Sequence, residues 1–235
     1  MSRAPGREMT DPLEGSAWSA EATVAGFAQA PANPVLMRFA GAERQRGGRR
    51  AIDIGCGAGR NTLPLARLGW DLAGVDLSWP MIRAAAERVG QERPAGRVTL
   101  AIAAMEHLPV PDATEDLIVA HGIWNLAQSS AQFRAAVREA ARAARPGAAL
   151  FVFTFSRATL PPEAAPVPGE TFVFTQFSGQ PQCFLTAEQL TSELQAAGFA
   201  PDPTVPLTEY NRPAPGMLRS GGPPVIYEGA FRYGG

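Results

Sequence analysis

Between residues 50 and 155 short apolar runs alternate with stretches of helical periodicity, the pattern of parallel strands joined by crossover helices. The runs at 51–54, 72–76, 98–103, 116–121 and 148–155 predict five strands. Between them, residues 59–68 predict a helix stopped by Gly69. A second runs from the N-cap Ser78, with Pro80 in its first turn, to residue 89. A third spans 130–144, where Phe133, Ala136, Val137 and Ala140 fall on one face at i, i+3, i+4, i+7 spacing.

The flanks are patterned differently. Residues 1–15 mix Pro, Gly and charge without period and read as a loose leader. Residues 16–42 predict two short helices broken by Pro31 and Pro34, and the basic run 44–50 reads as a solvated linker, since no aromatic residues interleave its charges. Residues 156–185 begin Pro-rich and become aromatic, predicting an inserted strand or flap. Thr186 and Gln189 form a capping-box pattern that opens a last helix ending at Gly198. Segments 204–210 and 225–233 predict a closing hairpin. The whole reads as one domain: N-terminal helices, a core over 50–155, and an insertion.

Composition narrows the chemistry. All 21 basic residues are Arg, so Schiff-base chemistry, a P-loop Lys and a Tyr/Lys-type reductase are excluded. A net charge of −1 gives no electrostatic reason to expect nucleic acid or anionic lipid, and no stretch approaches a membrane span. Two distant cysteines, Cys56 and Cys183, suggest neither a disulfide framework nor a metal site. These features predict a cytoplasmic protein, monomer or homodimer, acting on a small molecule, with no nucleic-acid or membrane partner.

The most informative local pattern is Ile52-Asp53-Ile54-Gly55-Cys56-Gly57-Ala58-Gly59-Arg60, in which a buried strand enters a glycine-rich turn and then a helix. Glycines there permit positive φ and close ligand approach, with the helix-start amides facing the ligand. Asp76, 21 residues after Gly55, ends the second strand where a carboxylate accepts from ribose hydroxyls. A nicotinamide fingerprint would want glycine where Arg60 stands, which disfavours the rival reading as an NAD(P)-dependent oxidoreductase.

Together with "GRNTLPLARLG" and "GVDLS", this stretch resembles the class I S-adenosylmethionine (SAM)-dependent methyltransferases, most closely their small-molecule branch, which includes tellurite and thiopurine methyltransferases. The resemblance implies a three-layer, Rossmann-like α/β fold: a seven-stranded, mostly parallel sheet whose last strand, 225–233, is antiparallel. It further implies that Gly55, Gly57 and Gly59 cradle the methionine part of SAM, with Cys56 in the same loop. Asp53 would brace that loop, Asp76 would hold the ribose with Leu77 beside it, and Met105 would pack on the adenine. At the position where the family often carries an adenine-reading acid stands Ala104, followed after Met105 by Glu106, which leaves a SAM-binding protein without catalysis as a second rival.

Ligands on open α/β sheets bind beyond the carboxyl ends of the strands, so His121, ending the fourth strand, is the candidate catalytic residue and a cofactor neighbour. It would deprotonate or orient the acceptor. Trp124 and Asn125 follow it, and Trp18, Phe27 and Gln176 lie in segments able to cover the site; these five are the candidate substrate-binding residues. The family's Asn/Asp-Pro-Pro-aromatic motif for nucleobase amino groups is missing after this strand, against DNA amino methylation.

Overall fold

The computed structural model describes residues 11–212 and 223–235; the predicted leader lies outside the described residues except for 11–15, which form a turn. Strands β1 (Arg50–Ile54), β2 (Asp71–Asp76), β3 (Val98–Ile102), β4 (Glu115–His121) and β5 (Ala144–Phe155) are parallel neighbours in the order β3-β2-β1-β4-β5. β10 (Ile226–Tyr233) lies antiparallel beside β5. Beyond it stand β8 (Phe199–Pro201) against its end and β9 (Thr208–Tyr210) against its start.

Alternation along the strands separates two cores. Ile52, Ile54, Ile118, Ala120, Leu150 and Val152 face one side and pack under α5 (Ser130–Ala143) and α6 (Ala187–Ala196). Ala51, Leu117, Val119, Ala149 and Phe151 face the other, under α2 (Pro34–Gln45) and α3 (Thr62–Arg67). Both faces are covered, which explains why the central strands read as near-continuous apolar runs. α4 (Trp79–Glu92) packs beside β2 and β3, and α1 (Glu21–Gln29) rests on α4.

Local chemistry sets the boundaries. Ser78 caps α4 by accepting from the Met81 amide, and Ser129 caps α5 through the Gln132 amide. Thr186 and Gln189 form the predicted capping box. Residues 156–185 fold into a loop carrying a short hairpin of β6 (Val173–Phe174) and β7 (Gln182–Cys183). Arg157 spools this loop: its guanidinium donates to the carbonyls of Leu160, Pro161, Pro162 and Ala164 and lies over the Phe174 ring.

Several predicted boundaries move. The glycine turn delays α3 to Thr62, because Gly57 and Gly59 take positive φ that a helix cannot use. α4 continues to Glu92 and stops at Arg93, which adopts the left-handed conformation. The basic linker is shorter than predicted, since α2 runs to Gln45 and Arg44 donates to the Gly69 carbonyl. Phe199–Pro201 was not predicted as a strand; three residues carry no periodicity, and only pairing with β10 makes them extended.

One connection is packed to its limit. Trp70 is fully buried, donating from Nε1 to the Ala40 carbonyl, and a Cβ on Gly96 would lie 1.9 Å from the Trp70 carbonyl oxygen. Gly96 itself donates to the Ala66 carbonyl at 2.9 Å. Gly96→Ala is therefore expected to lower unfolding free energy by about 2–4 kcal/mol, read from urea denaturation. A variant as stable as the parent would mean that the α4–β3 connection can shift at no cost.

Candidate active site

The turn after β1 holds Gly55, Gly57 and Gly59 at φ of 71°, 51° and 79°, the left-handed region where a side chain is strained. The loop is pinned from the neighbouring strand: Asp76 Oδ2 accepts from the Gly57 amide at 2.9 Å while its Oδ1 accepts from Ser78. Burial pushes the Asp76 carboxyl up, against the pull of these amides, and nearby Asp11 pushes the same way. Leu77 is half-buried beside it, and Met105 packs into the core under α5.

Beneath the turn, Asp53 is buried and accepts from Thr62 Oγ1 at 2.6 Å. Desolvation raises its carboxyl to about 7, with Asp76 adding to the rise and the Arg60 guanidinium opposing it. Cys56 is also buried; its thiol is pushed well above the ordinary range, chiefly by desolvation, and both cysteines are free.

The space above the glycines is roofed by the N-terminal segment. A Cβ on Gly57 would come within 3.5 Å of Phe27, whose ring meets Trp18 edge-on at 6.0 Å. A Cβ on Gly55 would lie 2.8 Å from Ile123. Asp11 accepts from the Trp79 amide at the start of α4 and from Ser19 Oγ, and Ser78 Oγ lies 3.2 Å from Ser19 Oγ. This strap crosses the carboxyl edge of β2, beside Asp76.

At the next strand end, His121 is half-buried with its ring stacked on Phe153, centroids 4.2 Å apart. Burial, reinforced by the charge of Arg60, pulls its pKa down to about 4. Its Nε2 lies 3.2 Å from Nδ2 of Asn33, the N-cap of α2. Trp124 is fully buried edge-on against Phe133, and Asn125 is buried beside it; Trp124 Nε1 and Asn125 Oδ1 have no hydrogen-bond partner. Gln176 is exposed on the insertion, where its side chain accepts from the Thr175 amide and donates to the Ala165 carbonyl.

The structure thus gathers the glycines, Asp53, Asp76, Phe27 and Trp18 around one turn, puts His121 on the adjoining strand, and leaves Gln176 engaged elsewhere. Asn33, Asn61, Thr62, Arg60, Phe153 and Glu228 join the site without having been picked out as site residues in the sequence. Asn33-Pro34 has the residue types of an N-cap followed by Pro at N1, but nothing local announces what else Asn33 touches. A cavity of about 370 Å³ lies to the side, between α2 and the loop before β9, and is lined by Arg38, Tyr210 and Glu228 among others.

The fold allows a fit test for SAM. Three left-handed glycines form a cradle that side chains would fill, and a carboxylate tied to that cradle stands at the end of β2. These residues fit a ligand with a ribose and an extended amino-acid tail.

A family model described as a methyltransferase domain matches residues 51–147. The chain is 29% identical over 167 residues to a demethylmenaquinone methyltransferase of Lactiplantibacillus plantarum, covering 63% of this chain and 69% of that protein. It is 26% identical over 178 residues to the 27-O-demethylrifamycin SV methyltransferase of Amycolatopsis mediterranei, covering 75% of this chain and 63% of the relative. Among solved structures, a SAM-dependent methyltransferase of Methanosarcina mazei superposes with a TM-score of 0.64 at 19% identity, over 87% of this chain and 99% of the other.

The buried carboxyl of Asp53 generates a pH prediction. Its folded-state pKa is raised, so its contribution to stability is full below about 4 and is lost as pH rises through about 7. Asp53→Asn, which keeps an acceptor for Thr62, should therefore gain stability relative to the parent over that window, by on the order of 1–3 kcal/mol. Urea unfolding of both proteins at pH 4.5 and 7.5 measures the difference. A gap that does not widen with pH would show that Asp53 ionises at an ordinary pKa.

Proposed function

We propose that the chain, whose residues 51–147 match a methyltransferase-domain model, is a SAM-dependent enzyme that transfers the methyl group of SAM to an oxygen, nitrogen or sulfur atom of a small molecule. The observation that carries this reading is the pairing of the Gly57 amide with Asp76 beneath a roof of Phe27 and Trp18, one strand away from His121. Bound SAM supplies an electrophilic methyl on a positively charged sulfur. The protein's part is to hold donor and acceptor in line and to keep water out, where proximity and orientation supply most of the rate.

In this reading Gly55, Gly57 and Gly59 admit the amino-acid tail to the backbone, Asp53 stiffens the turn through Thr62, and Asp76 takes the ribose hydroxyls. Leu77 and Met105 border the adenine. His121 touches the acceptor at the end of β4, and Trp18 and Phe27 close over the neighbouring glycine turn that holds the cofactor. A small acceptor suits both named relatives, one a quinone-precursor enzyme and the other a rifamycin-precursor enzyme by name. It also suits a chain of net charge −1, which gives no overall electrostatic reason to expect nucleic acid. Among the described residues no helix is long and apolar enough to cross a membrane.

The test is calorimetric and kinetic. Asp76→Ala should weaken binding of the demethylated cofactor, S-adenosylhomocysteine, by about 1–3 kcal/mol, and Gly57→Val should abolish it. With radiolabelled SAM and a panel of quinols and phenols, His121→Ala should lower turnover roughly 10- to 100-fold and leave cofactor affinity within about threefold. Unchanged affinity in Asp76→Ala would remove the ribose assignment. Unchanged turnover in His121→Ala would remove that residue from the acceptor site.

A further inference from the structure

His121, Phe153 and Glu228 stand in one row across β4, β5 and β10, because His121 and Glu228 both register with Phe153, from opposite sides. Asn33, at the start of α2, lies over this row. Its Oδ1 accepts from the amides of Val35 (2.9 Å) and Leu36 (3.0 Å), and its backbone amide donates to Asn61 Oδ1 at 3.0 Å. Its Nδ2 lies 2.5 Å from Glu228 Oε2 and 3.2 Å from His121 Nε2.

These contacts leave the amide one orientation. The reverse would set its NH2 against two backbone N–H donors and its oxygen against a carboxylate. Nδ2 has two hydrogens: one goes to Glu228, and the other can only go to His121, whose Nε2 must then present its lone pair. Asn33, Asn61 and Glu228 are 6%, 5% and 5% exposed, so water does not compete for these bonds.

We infer that Asn33, held by Glu228 and by its capping of α2, is a positioning residue that fixes His121 as the neutral tautomer with its proton on Nδ1 and its Nε2 lone pair occupied. Burial and the charge of Arg60 act in the same direction, since both disfavour a second proton on the ring. Arg60 Nε is itself buried without a hydrogen-bond partner, and among the described residues Arg60 is the charge that acts on the ring.

The consequence concerns the acceptor and rests on the proposed reading that His121 faces it. A ring in this state donates from Nδ1 but does not remove a proton through Nε2. The acceptor therefore enters with its electron pair already free: an ionised phenol, enol or thiol, or an unprotonated amine. An acceptor anion forms the bond to the methyl carbon with its own lone pair and has no proton to lose, and the neighbouring Arg60 charge favours the anionic members of this class.

The experiment needs no acceptor. The chain has only two histidines, so protein labelled with ring 15N-histidine gives two sets of signals, assigned with His107→Gln, a change at an exposed position. In the parent, His121 Nε2 should resonate as an unprotonated nitrogen and Nδ1 as a protonated one, unchanged from pH 5.5 to 8. In Asn33→Ser, which keeps a hydroxyl to cap α2 but lacks the amide, the ring should show both tautomers and titrate at least one pH unit higher. A proton on Nε2 in the parent, or a parent ring that titrates near 6.5, would overturn the inference whether or not the variant folds. An unchanged spectrum in a folded Asn33→Ser would overturn it as well. Failure of the acceptor-facing reading is separate and would appear only in the kinetics of His121→Ala.

Discussion

The site depends on a reversal in the winding of the sheet. The chain steps from β1 outward through β2 to β3, then crosses back to place β4 on the other side of β1 and continues outward through β5. Crossovers keep one hand, so α3 and α5 fall on opposite faces and the connections leaving β1 and β4 diverge. A crevice opens between those two carboxyl ends. The glycine turn occupies one lip and His121 the other, so the residues proposed to hold a cofactor and the one proposed to meet an acceptor are neighbours as a matter of topology.

Desolvation is the shared cause of the site's electrostatics. It raises Asp53 and Asp76, lowers His121 and raises the Cys56 thiol, so each group is pushed toward its uncharged form. Arg60 keeps its charge at any accessible pH and lies among these groups, where it opposes the rise at Asp53 and deepens the fall at His121. A crevice whose Asp53, Asp76 and His121 are pushed toward their uncharged forms around the Arg60 cation suits a reaction in which an electron-rich acceptor meets a sulfonium and no proton relay is required.

The N-terminal helices are bound to the crevice at two points of different character. At α2 the attachment is a saturated polar hub on Asn33, backed at the other end of the helix by Glu43, which pairs with Arg232 on β10. At α1 and the strap before it the contacts are thinner: Phe27 over Gly57, and Asp11 and Ser19 on the start of α4. Trp18, at the outer edge, is 37% exposed. The firm attachment holds the His121 side of the crevice, and the looser one covers the glycine-turn side, which the proposed function assigns to the cofactor.

The parallel core was legible in the sequence because its signals are local. Apolar runs at strand length, glycines that need positive φ, and Ser or Thr before α4, α5 and α6 are decided by a residue and its near neighbours, so the five strands, these helices and the cradle with Asp76 could all be read directly. Strand β8 could not, since three residues become a strand only through a partner some 30 positions away. Nor could the burial of Trp124, which reads equally as core or pocket until Phe133 is seen against it. The role of Asn33 is the clearest case. Its cap on α2 follows from the next few residues, but its bonds to His121 and Glu228 span 88 and 195 positions and exist only because β4, β5 and β10 align in register. Sequence by itself determined which groups this crevice contains. Tertiary packing alone decided which nitrogen of the histidine keeps its lone pair occupied, because that depends on burial and on strand register, which no local pattern carries.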